Sequence, residues 1–231
     1  MDLIEGELSD PINHWYYSHK FAMIHKSIRG ILPKAKRIID VGAGSALFSK
    51  ELIRLYPDLV SLAIDTGYTD KQVQASGPKI RFSTTYQDEV AQIYLFTDVL
   101  EHVSNPIDLL NTFIRGAVSG AQFVITVPAH SILWSGHDVF LKHHKRYIRS
   151  ELNEVLYGAQ LRVKSIRYIY TPLFPFALVH RLSNSAQTPR SQMREFSQPL
   201  NMLLKFILAP DHLLSRILPF GISLIAIAEK P

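Results

Sequence analysis

Apolar and polar positions along the chain follow two periods, and these periods predict strands separated by helices. Short apolar runs typical of buried strands lie at 37–41, 59–64, 79–83, 92–97 and 122–127. Amphipathic helix patterns lie at 46–55 and from Pro106 onwards, where Asn105 can cap the first turn. Strands that alternate with helices indicate a mostly parallel sheet covered on both faces.

A further helix is predicted before the first strand, over residues 11–29. Asp10 suits the N-cap position, Pro11 suits the first helical position, and Gly30 can end the helix. This segment therefore forms a helical cap on the sheet.

The C-terminal half departs from the regular alternation. A long polar and aromatic loop follows residue 128, and Ser150 caps a predicted helix that closes near Gly158. Strand patterns at 161–170 and 222–228 enclose a segment with several prolines and apolar stretches. That segment, 171–220, predicts a helical insertion before the last strand.

Ligands of such sheets bind beyond the carboxyl ends of the strands, where the strand order reverses. We therefore expect one crevice to be formed by Asp65 together with residues 40–45, 98–102 and 128–147.

Composition excludes several classes of protein. A chain of 231 residues that is 47% hydrophobic and 19% charged suits one well-cored domain rather than a disordered protein. The absence of cysteine excludes disulfides, thiolate metal sites and cysteine nucleophiles. The acidic N-terminus lacks the pattern of a secretory signal, and no apolar run approaches the roughly 18 residues of a membrane span. We predict a cytoplasmic protein.

The formal charge of +5 and the pI of about 9.3 leave two interpretations open. The excess lies in residues 142–146 and in Arg181, Arg190 and Arg194. It is either a solvated surface or an attraction to an anionic substrate, nucleic acid or membrane surface. The insertion at 171–220 could accordingly be a lid, a dimer face or a helix on a membrane surface.

The turn Gly42-Ala43-Gly44 joins the first strand to the next helix. Its glycines permit a tight turn and close approach of a ligand. A dinucleotide fingerprint would place Gly or Ala where this chain has Leu47, and the lysine of a P-loop is absent. The turn therefore favours a smaller ligand without a pyrophosphate.

Asp65 ends the second strand, 23 positions after Gly42. A carboxylate at this place can accept both hydroxyl protons of a ribose, although a solvent-exposed acid at a strand end is the alternative. The spacing from the glycine turn favours an adenosine ligand.

At these residues the chain resembles class I S-adenosylmethionine-dependent methyltransferases. Residues 38–45 are similar to their first motif, Asp65 falls on their ribose-binding acid, and 97–103 are similar to the D-x-L-E-H segment after their fourth strand. Residues 14–20 resemble the H-W-W-F-x-x-R opening of a bacterial branch. Residues 127–147 resemble that branch's V-P-A, L-W-S-x-H-D and G-H-x-R-R-Y motifs. Lys20, Lys142 and Lys145 depart from these patterns.

The resemblance and the periodicity together predict the architecture. We expect an α/β, Rossmann-like, doubly wound fold with a mostly parallel seven-stranded sheet, an antiparallel last strand and a helical insertion before it. A single domain, 1–231, would comprise an N-terminal helical cap at 1–35, a cofactor-binding core at 36–170, the insertion at 171–220 and the last strand at 221–231.

The resemblance implies S-adenosyl-L-methionine as the cofactor. The binding residues that it implies are Tyr17, Lys20, Asp40, Gly42, Gly44, Ser45, Asp65, Thr66, Asp98, Val99 and Leu100.

Transfer to a hydroxyl needs a base with a pKa near neutrality, and histidine suits that role. The candidates for catalysis are His102, His137 and His143, each of which could instead have a structural role. The candidates for substrate binding are His130, Trp134, Asp138, Arg146 and Tyr147. The spacing of His137, Asp138 and His143 fits no strong metal motif, so we predict no metal site.

The predicted function is methyl transfer to an oxygen or nitrogen of a small-molecule acceptor, which could be anionic. A nucleic-acid methyltransferase is one alternative, but the chain has no Asn/Asp-Pro-Pro-Tyr/Phe signature and no long basic stripe. A non-catalytic protein that binds adenosine or a partner is another. Leu47 disfavours a nicotinamide oxidoreductase. The oligomeric state stays open.

Overall fold

The computed structural model describes residues 8–87, 89–183 and 195–231. The strands in this part of the chain are β1 (Arg37–Val41), β2 (Val60–Ile64), β3 (Ile80–Ser83), β4 (Ile93–Thr97), β5 (Gln122–Pro128), β6 (Arg162–Ile169) and β7 (Ser223–Glu229). The α-helices are α1 (Trp15–Ile28), α2 (Leu47–Leu55), α3 (Asp70–Gln74), α4 (Pro106–Gly116), α5 (Gly136–Phe140), α6 (Arg149–Gly158), α7 (Phe174–Ser183), α8 (Gln198–Leu208) and α9 (Asp211–Leu214). Among these helices, none is both long and apolar enough to cross a membrane.

The strands form a seven-stranded sheet in the order β3-β2-β1-β4-β5-β7-β6. Strands β1 to β5 pair in parallel, whereas β7 runs antiparallel to β5 and β6. The predicted Rossmann-like α/β fold with an antiparallel last strand is therefore confirmed. Strand order reverses between β1 and β4, which places the expected crevice beyond the ends of these two strands.

Alternate residues of the central strands supply the two apolar layers of the core. Ile39 of β1 and Phe96 of β4 pack on one face, against helices α4 and α6. Ile38 and Leu95 pack on the other face, against α1 and α2. This division follows from the two-residue repeat of a strand. It explains why the central strands are apolar throughout.

Two predicted helix starts were wrong. Asp10 caps only a short 3-10 helix, Pro11–Asn13, and the N-cap of α1 is His14. Ser150 lies inside the first turn of α6 because the Glu151 carboxylate accepts a hydrogen bond from the backbone N–H of Ile148, which makes Ile148 the N-cap.

Two short α-helices, α3 and α5, were not predicted. The expected loop after residue 128 contains a 3-10 helix, Ser131–Leu133, and α5. Helix α3 lies between β2 and β3. Both α3 and α5 start with a capping box, so their sequence signal was local but short.

The insertion before β7 contains α7, α8 and α9, and it is fastened to α1. The carboxylate of Asp211, which is fully buried, accepts hydrogen bonds from Tyr170 N (2.7 Å), Thr171 N (2.9 Å) and the Thr171 hydroxyl, and it contacts His19 Nε2 at 2.7 Å. Asn201 of α8 accepts a hydrogen bond from Trp15 N at 2.8 Å. The basic residues Arg190 and Arg194 lie outside the described residues, as do residues 1–7.

Candidate active site

The glycine turn lies at the end of β1, directly against the loop after β4. Gly42 and Gly44 have φ angles of +62° and +52°, a region that L side chains rarely adopt. A Cβ atom on Gly42 would lie 2.6 Å from Cγ2 of Val99. The turn therefore requires glycine both for its backbone conformation and for this close approach.

Asp65 contacts the glycine turn from the end of β2. Its Oδ2 atom accepts a hydrogen bond from Gly44 N at 2.9 Å, and its Oδ1 accepts one from Gly67 N at 2.9 Å. The Tyr68 hydroxyl donates to the Gly44 carbonyl at 2.7 Å. An ionised carboxylate accepts about four hydrogen bonds, so Asp65 retains capacity for the hydroxyls of a ligand.

Asp40, the fourth residue of β1, lies buried beneath this turn. Its Oδ2 accepts a hydrogen bond from the Ser49 hydroxyl at 2.7 Å, while Oδ1 has no partner among the described residues. Burial raises the pKa of Asp40 to about 6, and the negative charge of Asp65 acts in the same direction. The Ser45 hydroxyl is a second buried oxygen whose partner the described chain does not supply.

We expect Asp40→Asn to stabilise the fold above the native pKa of the carboxyl. Because the folded state favours the protonated acid, wild-type stability should fall as pH rises from about 4 to about 6, by about 2–3 kcal/mol. The amide carries no charge, so its advantage should be largest at about pH 8 and absent at about pH 4. Urea unfolding at both pH values measures it, with the exposed Asp58→Asn as control. An equal effect at both pH values would contradict the charge penalty.

The end of β4 holds an ion pair between a buried lysine and a half-buried aspartate. Lys20 of α1 is completely buried, and its Nζ contacts the Asp98 carboxylate and the Tyr16 hydroxyl, the latter at 2.6 Å. Oδ1 of Asp98 accepts a hydrogen bond from the Thr126 hydroxyl at 3.0 Å. Burial opposes both charges, but their mutual attraction outweighs it, so that the pKa of Lys20 is raised and that of Asp98 is lowered. Helix α1 thus closes the crevice over Asp98.

A second group of charges lies in the segment after β5. Asp138 is fully buried, and Arg146 donates to both of its oxygens from Nε (2.7 Å) and Nη2 (2.9 Å). Nδ1 of His143 lies 3.0 Å from Asp138 Oδ1, and the Ser135 hydroxyl donates to Oδ2. Although burial opposes ionisation, hydrogen bonds from His143, Arg146 and Ser135 hold the pKa of Asp138 well below its usual range.

His143 faces the loop after β4. Its ring lies 4.6 Å from that of His102 in an edge-to-face arrangement. Ligand atoms of Glu101, His102 and His143 lie within 4.8 Å of one another, which is close enough to hold a metal ion. The Nε2 atom of His143 is buried without a hydrogen-bond partner in the described chain. This atom can accept a proton or bind a metal.

The chain matches the family model described as a methyltransferase domain over residues 13–166, more than half of its length. The chain belongs to the methyltransferase domain family. The prediction of a class I S-adenosylmethionine-dependent methyltransferase is thereby confirmed in family and fold. No curated protein sequence matches the chain.

Three solved structures that are similar in fold to this methyltransferase are distant from it in sequence. An S-adenosylmethionine-dependent methyltransferase from Archaeoglobus fulgidus is 16% identical, with a TM-score of 0.54 over 94% of this chain and 99% of that one. The [4+2]-cyclase SpnF is 15% identical, with a TM-score of 0.59 over 93% of this chain and 82% of that one. CalO1, a calicheamicin-biosynthesis methyltransferase bound to S-adenosylhomocysteine, is 11% identical, with a TM-score of 0.50 over 93% and 56%.

The cradle formed by Asp40, Gly42, Gly44, Ser45 and Asp65 has the features that a polar adenosyl ligand requires. Gly42 lets the turn lie directly against Val99, and Asp40 and Ser45 each present a buried oxygen without a partner in the described chain. Asp65 joins the cradle through Gly44. These residues fit S-adenosylmethionine.

The remaining predicted site residues lie in several environments. Val99 and Leu100 follow Asp98, Thr66 is exposed beside Asp65, and Tyr17 is buried next to Phe48. The ring of His130 stacks on Tyr168 with centroids 4.9 Å apart. Tyr147 is fully buried and donates a hydrogen bond from its hydroxyl to the Leu100 carbonyl at 3.0 Å, so it supports the loop after β4 from behind. Trp134 and His137 are half-buried on either side of Ser135. Their roles stay predictions.

Two residues at the site were not predicted. Tyr16 lies with Lys20 at Asp98, and the four-residue spacing of Tyr16 and Lys20 on a helix could have shown it. Glu101 is fully buried, and neither carboxylate oxygen has a hydrogen-bond partner among the described residues. Burial, aided by the charge of Asp98, raises the pKa of Glu101 well above its usual value.

Proposed function

We propose that this methyltransferase transfers the methyl group of S-adenosylmethionine to an oxygen or nitrogen of a small-molecule acceptor. The observation that carries the proposal is the contact of three loops at the strand-order reversal. Gly44 bonds to Asp65, and Gly42 lies against Val99, which follows Asp98. The glycine turn, Asp65 and Asp98 thus lie together and form one cradle.

Different residues of this cradle would contact different parts of the cofactor. Asp65 would accept the ribose hydroxyls, with Thr66 on the adenine side. Asp98, Val99 and Leu100 would flank the methionine part, together with Asp40, Gly42, Gly44 and Ser45, while Tyr17 and Lys20 close the pocket from α1. When bound, the cofactor supplies an electrophilic methyl group on a sulfonium, so the chain needs chiefly to orient the acceptor and exclude water.

His143 is the base that the geometry favours for deprotonating the acceptor. If Nδ1 donates its hydrogen to Asp138, the lone pair of the neutral ring is on Nε2, the buried atom without a partner among the described residues. Arg146 holds Asp138 from two nitrogens, so the carboxylate stays ionised and fixes this tautomer. The proton of the attacking O–H or N–H group then passes to His143 Nε2.

The cofactor assignment is tested by calorimetric titration with S-adenosylhomocysteine. The wild-type protein should bind it, and Asp65→Asn should weaken the binding by about 10- to 100-fold, because hydrogen bonds to an ionised carboxylate are worth about 1.5–3 kcal/mol. Asp70→Asn is a matched control, since Asp70 is exposed five residues further along the chain.

Asp65 also accepts hydrogen bonds from the backbone N–H groups of Gly44 and Gly67, so its replacement could destabilise the fold. The thermal unfolding of each ligand-free variant must therefore be measured in parallel. Should Asp65→Asn unfold, Asp65→Glu keeps the charge and moves only the oxygens. A folded wild-type protein that binds no S-adenosylhomocysteine would refute the assignment.

A further inference from the structure

Helices α7 and α8 present large apolar side chains to solvent. Phe176, Val179 and Leu182 are exposed along α7, where Phe176 is 71% exposed. Met202 and Phe206, one helical turn apart on α8, are 67% and 78% exposed. Leu203 on α8, and Leu213 and Ile217 beyond it, are exposed as well. Side chains of this size usually face a core, so these faces are suited to an apolar environment.

A cationic pocket adjoins the apolar face of α8. It has a volume of about 450 Å³ and lies between α1, α8 and α9. Its polar wall includes Lys26, Lys205 and His212, and apolar residues such as Met23 and Leu208 line the rest. Neither lysine forms an ion pair with a described residue. The pocket is therefore suited to an anionic group attached to an apolar one.

None of the described residues that line the pocket is acidic. Asp211 directly precedes the pocket residue His212, but its side chain is fully buried. Its oxygens form hydrogen bonds with Tyr170, Thr171 and His19. Arg216 is exposed beside Ile217. A second copy of the chain placed symmetrically on this face would bring lysine and arginine side chains towards each other. A surface of anionic lipid instead offers acyl chains to Met202 and Phe206 and phosphates to the lysines.

We propose that this face docks the protein on an anionic lipid bilayer. The apolar side chains of α8 enter the boundary between headgroups and acyl chains, and the pocket of Lys26 and Lys205 receives a lipid phosphate. This surface is separate from the cofactor cradle, so the proposal does not depend on the acceptor of the methyl group.

Flotation of the full chain with lipid vesicles tests the proposal. The protein should float with vesicles of phosphatidylcholine and phosphatidylglycerol in equal amounts, much less with phosphatidylcholine alone, and less at high salt. Phe206→Ser should reduce the partition coefficient of the protein between vesicles and water about tenfold or more. Lys205→Ser should reduce it about fivefold. Tyr157→Ser is the matched control, because Tyr157 is 79% exposed on α6, across the sheet from α8.

The serine variants remove exposed or half-buried groups outside the core and should keep the wild-type thermal unfolding profile, which is measured first. No flotation of the wild-type protein with the anionic vesicles would overturn the proposal. An equal loss in Tyr157→Ser would overturn it as well. A dimer in sedimentation velocity that Phe206→Ser dissociates, without vesicle binding, would assign the face to a second copy of the chain.

Discussion

Replacing His143 with alanine should lower the rate of methyl transfer by about 10²- to 10⁴-fold, the range that a positioned general base contributes. The loss should appear in kcat, whereas binding of S-adenosylhomocysteine should be unchanged, because His143 contacts Asp138 and His102 rather than the glycine turn. The rate is followed as release of S-adenosylhomocysteine, with an acceptor selected from a panel of small hydroxyl and amine compounds.

His144→Ala is the control for this experiment. His144 is the exposed neighbour, and its backbone N–H, which alanine keeps, donates to the Glu101 carbonyl. Dialysis of the wild-type protein against a chelator separates a base from a metal ligand. Activity that is lost on dialysis and restored by a divalent cation would contradict the base, since His143 would then bind metal with Glu101 and His102.

Asp211→Ala should destabilise the fold by about 3–5 kcal/mol, the usual cost of removing one partner from a buried network. The substitution leaves Tyr170 N, Thr171 N and the Thr171 hydroxyl without their acceptor, and it frees His19 on α1. Because these donors join the end of β6 to α1, the insertion should loosen together with the helix.

The loss is measured as the free energy of unfolding in urea. Asp58→Ala is the control, because Asp58 is 89% exposed and its contact with Lys36, at 3.7 Å, should contribute less than about 1 kcal/mol. A loss from Asp211→Ala no greater than that of the control would mean that water replaces the carboxylate without cost, contrary to the prediction.

The parts of the fold that depend on short sequence patterns could be predicted. The strand β1 and its glycine turn are recognisable because a buried apolar run and a positive φ angle each demand particular residues within a few positions. The start of α6 was wrong because a local competition decided it. The Glu151 carboxylate bonds back to Ile148 N, and the better capping residue, Ser150, is left inside the helix.

The electrostatic pairs of the site could not be predicted in the same way, because they join distant segments. His137 and Asp138 are adjacent in sequence, yet Asp138 turns to His143 and Arg146 once α5 forms. Glu101 is unremarkable beside His102 in the sequence, and only the packing of the loop after β4 buries its carboxylate. Lys20 and Asp98 are 78 positions apart, so their contact depends on how α1 crosses the sheet.

The contacts between α1 and the insertion connect two distant surfaces, the crevice at Asp98 and the outward apolar face of the insertion. Asp98 in the crevice forms an ion pair with Lys20 of α1. Asn201 and Asp211 in turn connect α1 to α8 and α9, the helices that present the outward apolar face. If ligand binding in the crevice changes the affinity of the outer face for its partner, binding at the outer face must change the affinity of the crevice for the ligand by the same factor.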